Sequence, residues 1–406
     1  MARTSVDSSQ LPRPALLASV GLLTKLVPLS TVSAVLSAEG KNSQRERALP
    51  SHFLVYLIIS LSLYMPYSLR EVLRCVLEGL RGLDRSLSIA TKGAISRART
   101  RLGWNVLAEI FRQVVHPIAT ADTRGAWYRH WRVVGLDGTT LALQCTPENV
   151  AEFGLHSSKE GPAAFPLLRL VALVEVGTHV VLQPVIGLLT QAEVTLANGL
   201  LPSLSKDMLL IEDRGYVGYE WWASVKSTGA DILCRVRNNM RFPCSKRLAD
   251  GSFISYLCPP KGVDGEKIAV RVIEYALKGV PGSDEIYRII TTILNPEVAP
   301  ANELAALYHE RWEVESLFDE FKTHMRGGNR VLLRSKTPNL VKQEVYGLLL
   351  AHFVVRVVMH DAAQAMGEDP DRISFTHTVR VLKRRLPQAA GGFPPTGVDT
   401  MVSVDH

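Results

Sequence analysis

The sequence predicts a mixed α/β protein, with a helical first third followed by a sheet-built core threaded with helices. Three observations predict it. In Phe53–Glu78 and Trp104–Val115 apolar residues recur at three- and four-residue spacing, the period of a helix with one buried face. From about Trp127 the period changes: RVVGLDGTTLAL, PLLRLVALVEV and THVVLQPVIGLL are rich in β-branched residues and leucine and are bounded by Gly or Pro. MLLIED is short, apolar and ends in acid, as a strand buried on both faces does.

The elements follow in order. Between the two N-terminal helical runs, TKGAISRARTRLGWN carries Lys92, Arg97, Arg99 and Arg101. A short helix, a turn and this basic helix predict a helix-turn-helix in contact with DNA. The three strand runs come next, the first hairpin predicted to turn at Gly161–Pro166. Ala192 to Leu204 reads as helix, MLLIED as strand, WWASVKS as helix and DILCRVR as strand, giving the order β-β-β-α-β-α-β. Asn238 to about Ile293 has Gly/Pro punctuation and strand-like runs such as IAVRVIEYAL and YRIITTIL. The tail from Gln388, QAAGGFPPTG, reads as unpacked.

Composition narrows the partners. A chain of 406 residues holds two or three domains, and a net charge of +7 with a pI near 9.1 favours a polyanion. Cys75, Cys145, Cys234, Cys244 and Cys258 are odd in number and form no C-x-x-C pair, which excludes a disulfide framework or a zinc site and predicts buried, reduced thiols in a cytosolic protein. Leu16–Ala38 is interrupted by Lys25 and Pro28, and Phe53–Leu69 is short for a span, so both are expected as buried helices and no membrane partner is expected.

The most informative segment is YHERWEVESLFDEFK, Tyr308 to Lys322. Wound as one helix at roughly 100° per residue, it places Tyr308, Arg311, Glu315 and Lys322 within an arc of about 60°. Leu307, Val314, Leu317, Phe318, Phe321 and Met325 gather on a neighbouring apolar face. A carboxylate between cations and a phenol suits metal-assisted chemistry on a phosphodiester: the acid binds a hard cation, and the cations hold phosphate oxygens. Glu313 and Glu320 face elsewhere, and Asp319 is the reserve ligand. Trp312 lies beside the stripe, placed either to stack on an extruded base or to enter the core.

The spacing Tyr-x2-Arg-x3-Glu-x6-Lys resembles, without a gap, the signature of bacterial insertion-sequence transposases of the DDE superfamily, in the family of insertion sequence four. Asp137-Gly138-Thr139 and Asp213-Arg214-Gly215-Tyr216 resemble the family's two aspartate motifs, in the right order. The resemblance spans most of the chain, to about Leu386.

It implies an α/β fold with a ribonuclease-H-like catalytic core at 126–386, a β-rich insertion at 238–293 and a helical N-terminal DNA-binding domain at 1–125; from its composition the tail, 387–406, is expected to be flexible. It implies Asp137, Asp213 and Glu315 as catalytic and metal-binding, with two Mg²⁺ ions for which Mn²⁺ substitutes. Tyr308, Arg311 and Lys322 are implied to grip phosphates at the element's ends. Arg97, Arg99 and Arg101, and Arg380, Lys383, Arg384 and Arg385 in ISFTHTVRVLKRRL, are the other DNA contacts expected. The implied activity is cut-and-paste transposition, by nicking and then strand transfer, through a hairpin or directly. Partners are double-stranded DNA, as terminal repeats and target, and a second copy of the chain, in the bacterial cytoplasm at the nucleoid. The rival readings are a silent transposase-derived DNA-binding protein and a ribonuclease-H-like nuclease without strand transfer.

Overall fold

The computed structural model describes residues 21–43, 49–65, 67–77, 90–158, 161–276, 286–328 and 331–386. The tail expected to be flexible lies outside the described residues. The chain forms two compact units, one from Met1–Ile118, Leu141–Leu167 and Asp319–His406, the other from Ala119–Thr140 and Leu168–Phe318.

The second unit is built on a sheet. Its strands are β1 (Trp131–Ala142), β2 (Leu167–Glu175), β3 (Val180–Leu188), β4 (Met208–Glu212), β5 (Asp231–Arg235), β6 (Lys246–Arg247), β7 (Phe253–Leu257), β8 (Ile268–Tyr275) and β9 (Tyr287–Thr291). They lie in the order β3-β2-β1-β4-β5-β9-β8-β7-β6. β1, β4 and β5 run parallel to their neighbours in that set, whereas β2 pairs antiparallel with β3. The strands of 238–293 add to the same sheet, β9 pairing antiparallel with β5 and β8 with β9.

Period-two alternation sends Val134, Leu136, Leu210 and Ile232 to one face, where Trp221 and Trp222 of α9 (Tyr219–Ser227) pack on them. Val133, Leu209, Ile211 and Leu233 go to the other face, against Leu304 and Tyr308 of α10 (Ala301–Tyr308). Asp250, paired with the buried Arg271 of β8, accepts from the Ala301 backbone N–H at 3.0 Å and so caps α10. The helical stretch predicted after β3 is split into α8 (Glu193–Ala197) and a 3-10 turn, Asn198–Ser203, that contains Pro202.

One connection departs from expectation. β1 and β2 are not joined by a tight turn at Gly161–Pro166, because α7 (Pro147–Phe153) and a two-residue hairpin intervene. Thr146 caps α7 by accepting from the Asn149 N–H, and Asn149 itself donates to the carbonyls of Gln144 and Ser335.

The first unit is helical. α1 (Gly21–Leu26), α2 (Leu29–Ala38), α3 (Ser51–Leu63), α4 (Leu69–Leu77), α5 (Lys92–Leu102) and α6 (Asn105–Val114) precede the sheet in sequence, and α12 (Pro338–Met366) and α13 (Phe375–Arg385) follow it. α3 is buried from Phe53 to Leu63 and packs on α12. At the crossing Gly347 leaves no room for a side chain, since a Cβ would lie 2.8 Å from Cγ2 of Ile58. α12 starts at Pro338, suited to a first helical position, and stops at Gly367 in the left-handed region. It has the length and hydropathy of a membrane span, but 78% of its most apolar window is buried inside the protein, as in a core helix. α2 and α3 are too short to cross a membrane. Cys145, Cys244 and Cys258 are exposed thiols, which corrects the expectation of burial; Cys75 is half-buried and Cys234 lies in the core.

Candidate active site

Two parallel strands deliver the first two acids. The register of β1 and β4 pairs Leu136 with Glu212, so the next residues lie side by side, Asp137 in the middle of β1 and Asp213 just past the end of β4. Alternation puts Asp137 on the face of Val133 and Gly135. Asp213 terminates β4 at the carboxyl edge, and its Oδ1 accepts from the Gly215 N–H at 2.7 Å. Its carbonyl accepts from the Cys234 thiol at 3.1 Å.

Glu212 points to the opposite face, as alternation requires. It is fully buried, accepts from the Trp221 indole N–H at 2.7 Å, and is pushed up to about pKa 8 by that burial. It belongs to the core and is not a ligand candidate.

The third acid arrives on α11 (Trp312–Asp319). That helix rests on β1 at Gly135, where a Cβ would lie 2.3 Å from Cγ2 of Val314. Gly135 is two residues before Asp137 and Val314 is one before Glu315, so the missing side chain brings the acid helix down onto the acid strand. Glu313, on the same helix, pairs with Nε2 of His179 at 2.8 Å and pins the helix to the β2–β3 turn.

Arg311 lies between the acids. Its Nη2 donates to Glu315 Oε1 at 2.7 Å and its Nη1 is 4.0 Å from Asp137 Oδ2. Among the described residues the oxygens of Asp137, Asp213 and Glu315 do not all converge within 4.8 Å, and the guanidinium spans the gap. Burial raises the Asp137 carboxyl from its ordinary 3.8 to about 6; Asp213 and Glu193 push the same way, against the Gly138 N–H and Arg311. The donor set is all oxygen and crowded with like charge, which suits a hard divalent cation.

The predicted single helix is broken. α10 ends at Tyr308, a 3-10 turn covers His309–Arg311, α11 follows, and Glu320–Met325 is π-helical. The 3-10 turn changes the phase, and Tyr308 is turned into the core instead of the polar stripe. Only 7% exposed, it donates its hydroxyl to the Glu212 carbonyl at 3.3 Å. Through this bond Tyr308 ties α10 to β4, and its hydroxyl lies off the polar stripe on which a phosphate contact was expected. Trp312 is 59% exposed with Arg311 over its ring at 5.3 Å, so it is not a core tryptophan.

Lys322 falls on the π-helical turn, half-buried, so its spacing from Glu315 is not that of a continuous α-helix. Glu320 is buried and paired with Arg356 and His352, which explains the wide turn: the carboxylate is drawn into the core of its unit. Asp319, the reserve ligand, accepts from the Thr323 hydroxyl.

The basic residues divide. Arg97 and Arg101 on α5 are exposed, but Arg99 is 3% exposed, its Nε donating to Gln343 and its Nη2 to Ser335 and the Leu340 carbonyl. Arg99 holds α5 to α12, which corrects its expected role in DNA contact. Residues 78–89 lie outside the described residues, so of the expected helix-turn-helix only the basic helix α5 is described. Arg380, Arg384 and Arg385 of α13 are exposed, whereas Lys383 folds onto the Tyr64 ring at 5.9 Å.

Sequence reasoning missed Glu193, the first residue of α8, whose carboxylate lies against Gly138. An acid in the first turn of a helix reads as an ordinary dipole partner, so nothing local marks it.

The sheet order, with Asp137 and Asp213 side by side on neighbouring parallel strands and the Glu315 helix packed on β1, is that of a ribonuclease-H-like core. Residues 130–354 match the transposase DDE domain family and residues 17–112 match the insertion element 4 transposase N-terminal family; the chain belongs to the DDE transposases of insertion sequence four. It is 26% identical to transposase InsG for insertion sequence element IS4 of Escherichia coli K12, over 89% of this chain and 82% of that protein. The cryo-EM structure of the piggyBac transposase synaptic complex with hairpin DNA aligns at a TM-score of 0.44 and 12% identity, covering 96% of this chain and 81% of that one. The chain is a DNA-cleaving and strand-transferring enzyme, of a family that uses divalent metal ions and binds DNA.

Proposed function

We propose that the chain excises and inserts an insertion sequence by cut-and-paste transposition, with Asp137, Asp213 and Glu315 as ligands for two Mg²⁺ ions. The observation that carries the reading is the arrangement of the acids: Asp137 on β1 and Asp213 just after β4 lie side by side on adjacent parallel strands, and Arg311 reaches both Asp137 and Glu315. Asp137, Asp213 and Glu315 would hold the ions, which would supply activation of the attacking hydroxyl and neutralisation of the leaving oxygen. The fixed strands orient the aspartates, and α11 brings Glu315 to them.

Water attacks the phosphodiester at the element's end and frees a 3′ hydroxyl. That hydroxyl attacks the opposite strand to form a hairpin, or attacks target DNA directly. Arg311 leaves the acids for a phosphate oxygen, Lys322 adds a second phosphate contact, and Trp312 offers an exposed face for a base. Arg97 and Arg101 on 1–125, and Arg380, Arg384 and Arg385, extend the DNA contact. Residues 126–386 form the catalytic domain, with 238–293 as its β-rich insertion. Pairing of two ends makes a homodimer on DNA, in the bacterial cytoplasm at the nucleoid.

Labelled terminal-repeat duplexes with Mg²⁺ test the reading. Asp137→Asn, Asp213→Asn and Glu315→Gln should each abolish nicking and strand transfer while gel-shift binding stays near normal. Near-normal nicking by one variant removes that residue from the metal site. Binding without cleavage by the unaltered protein makes it a silent DNA-binding relative, and nicking without joining makes it a plain nuclease.

A further inference from the structure

We propose that Arg235 grips a DNA phosphate on the Asp213 side of the site, and that the basic run from Arg237 to Arg247 carries the DNA backbone onward along the same edge of the sheet; this rests on the metal site proposed above. The strand register puts Arg235 there. β1, β4 and β5 are parallel neighbours, pairing Leu136 with Glu212 and Glu212 with Cys234. The next residue on each, Asp137, Asp213 and Arg235, therefore lies at one level across the three strands. Alternation gives them one face as well: Arg235 shares that of Leu233, as Asp137 shares that of Val133 and Asp213 that of Ile211. Neighbouring strands are about 4.8 Å apart, so the cation stands one strand-step from the second aspartate.

The guanidinium is held in place but not neutralised. It lies over the Tyr287 ring at 4.5 Å, and Tyr287 stacks on Tyr275 with centroids 5.7 Å apart. Among the described residues no carboxylate pairs with it, and the side chain is only half-buried. A guanidinium that rests its face on a ring keeps its N–H edge for a phosphate, which it can take with two hydrogen bonds. Arg311 is engaged with Glu315 and lies near Asp137, so the two arginines serve opposite sides of the site.

The edge beyond Arg235 continues the positive charge. From Arg235 to Ala249 the chain has five cations and no acid. Arg237, Arg241, Lys246 and Arg247 are exposed. The run ends on β6, and the pairing is continuous across the sheet: Arg247 with Phe253, Phe253 with Val272, Val272 with Ile290, and Ile290 with Cys234. Arg247 thus stands level with Cys234, four strand-steps away in the sheet order, or about 19 Å. Glu274, an acid at this edge, is neutralised by Arg288. Phosphates of one DNA strand recur every 3.4 Å or so along the helix axis, so the edge is long enough for about five of them. Like charge gathered without counter-charge repels itself, and a polyanion relieves that repulsion.

Terminal-repeat duplexes with one phosphate at a time made neutral, as a methylphosphonate, test the proposal in single-turnover nicking by the full-length protein with Mg²⁺. Arg235→Ala should nick on the order of 10- to 100-fold more slowly than the parent, the range for a lost charge-assisted hydrogen bond. For the parent, one neutral phosphate near the scissile bond should slow nicking by a comparable factor. For Arg235→Ala that same position should add almost nothing, the signature of a direct pair. A merely structural defect would leave every position as sensitive in the variant as in the parent. Arg235→Lys, which keeps the charge without the fork, should restore the salt dependence of binding but only part of the rate. Arg237→Ala, Arg241→Ala and Arg247→Ala should each make the slope of log affinity against log salt shallower by about 0.9. Near-normal nicking by Arg235→Ala, or defects that simply add at every phosphate, overturns the role of Arg235, and unchanged slopes in the three loop variants overturn the track. Asp137→Asn and Asp213→Asn run alongside: near-normal nicking by either one overturns the metal site, whatever Arg235→Ala does.

Discussion

Replacing Gly135 with alanine tests how the site is assembled. The added methyl would lie 2.3 Å from Cγ2 of Val314, where an ordinary carbon contact is about 3.5–4.0 Å. Val314 is β-branched and helical, so it has essentially one rotamer and does not swing aside. The overlap of more than about 1 Å must therefore move α11 away from β1, and Glu315 moves with it. Overpacking of this kind costs about 1–3 kcal/mol in stability. A misplacement of about 1 Å costs on the order of 10²-fold in rate. Single-turnover nicking of a terminal-repeat duplex should thus fall about a hundredfold, with gel-shift affinity little changed. Val314→Ala in the same chain removes the Cγ2 atom and should recover most of the rate. Normal nicking by Gly135→Ala, or no recovery in the double variant, would refute the claim that this contact sets the position of Glu315.

Further outcomes follow from the same geometry. The native state holds the Asp137 proton more tightly than the unfolded chain does, with a pKa of about 6 against 3.8, so ionising it costs stability as pH rises through that window. The full cost, about 3 kcal/mol, is present above pH 6; metal-free Asp137→Asn should therefore melt higher than the parent at pH 8, by less at pH 5, and an equal or lower melting point at pH 8 contradicts the assignment. Arg311→Ala and Lys322→Ala should each make the salt dependence of end binding shallower by about one charge, and an unchanged slope returns them to structural pairing. Arg99→Ala should cost about 3 kcal/mol in chemical denaturation, since Gln343 and Ser335 lose a buried partner, whereas Arg97→Ala and Arg101→Ala should weaken DNA binding at near-constant stability.

What could be read in the sequence was what short-range patterning encodes. MLLIED is apolar because β4 lies between two packed faces, so its terminal Asp213 marks a sheet edge without any structure in hand. Asp137 was legible as a mid-strand acid for the same reason. The helix after β9 was legible in outline, but its phase was not, because the 3-10 turn at His309–Arg311 and the π-turn at Glu320–Met325 depend on distant partners. Glu320 is drawn to His352 and Arg356, and Tyr308 to the Glu212 carbonyl, contacts no local window contains. Counting charge likewise put Arg99 with its neighbours, although its partners Gln343 and Ser335 lie over two hundred residues away. Gly135 and Gly138 look like turn residues in the sequence; their role is to admit Val314 and Glu193.

The most direct measurement is anomalous scattering from Mn²⁺ in crystals of the protein bound to terminal-repeat DNA. Two peaks about 4 Å apart are expected, with Asp137, Asp213 and Glu315 as their protein ligands and Arg311 withdrawn from the acids onto a phosphate. Peaks away from Asp137 and Asp213, or a Glu315 still paired with Arg311 beside a filled site, would contradict the assignment of these three acids as the catalytic centre.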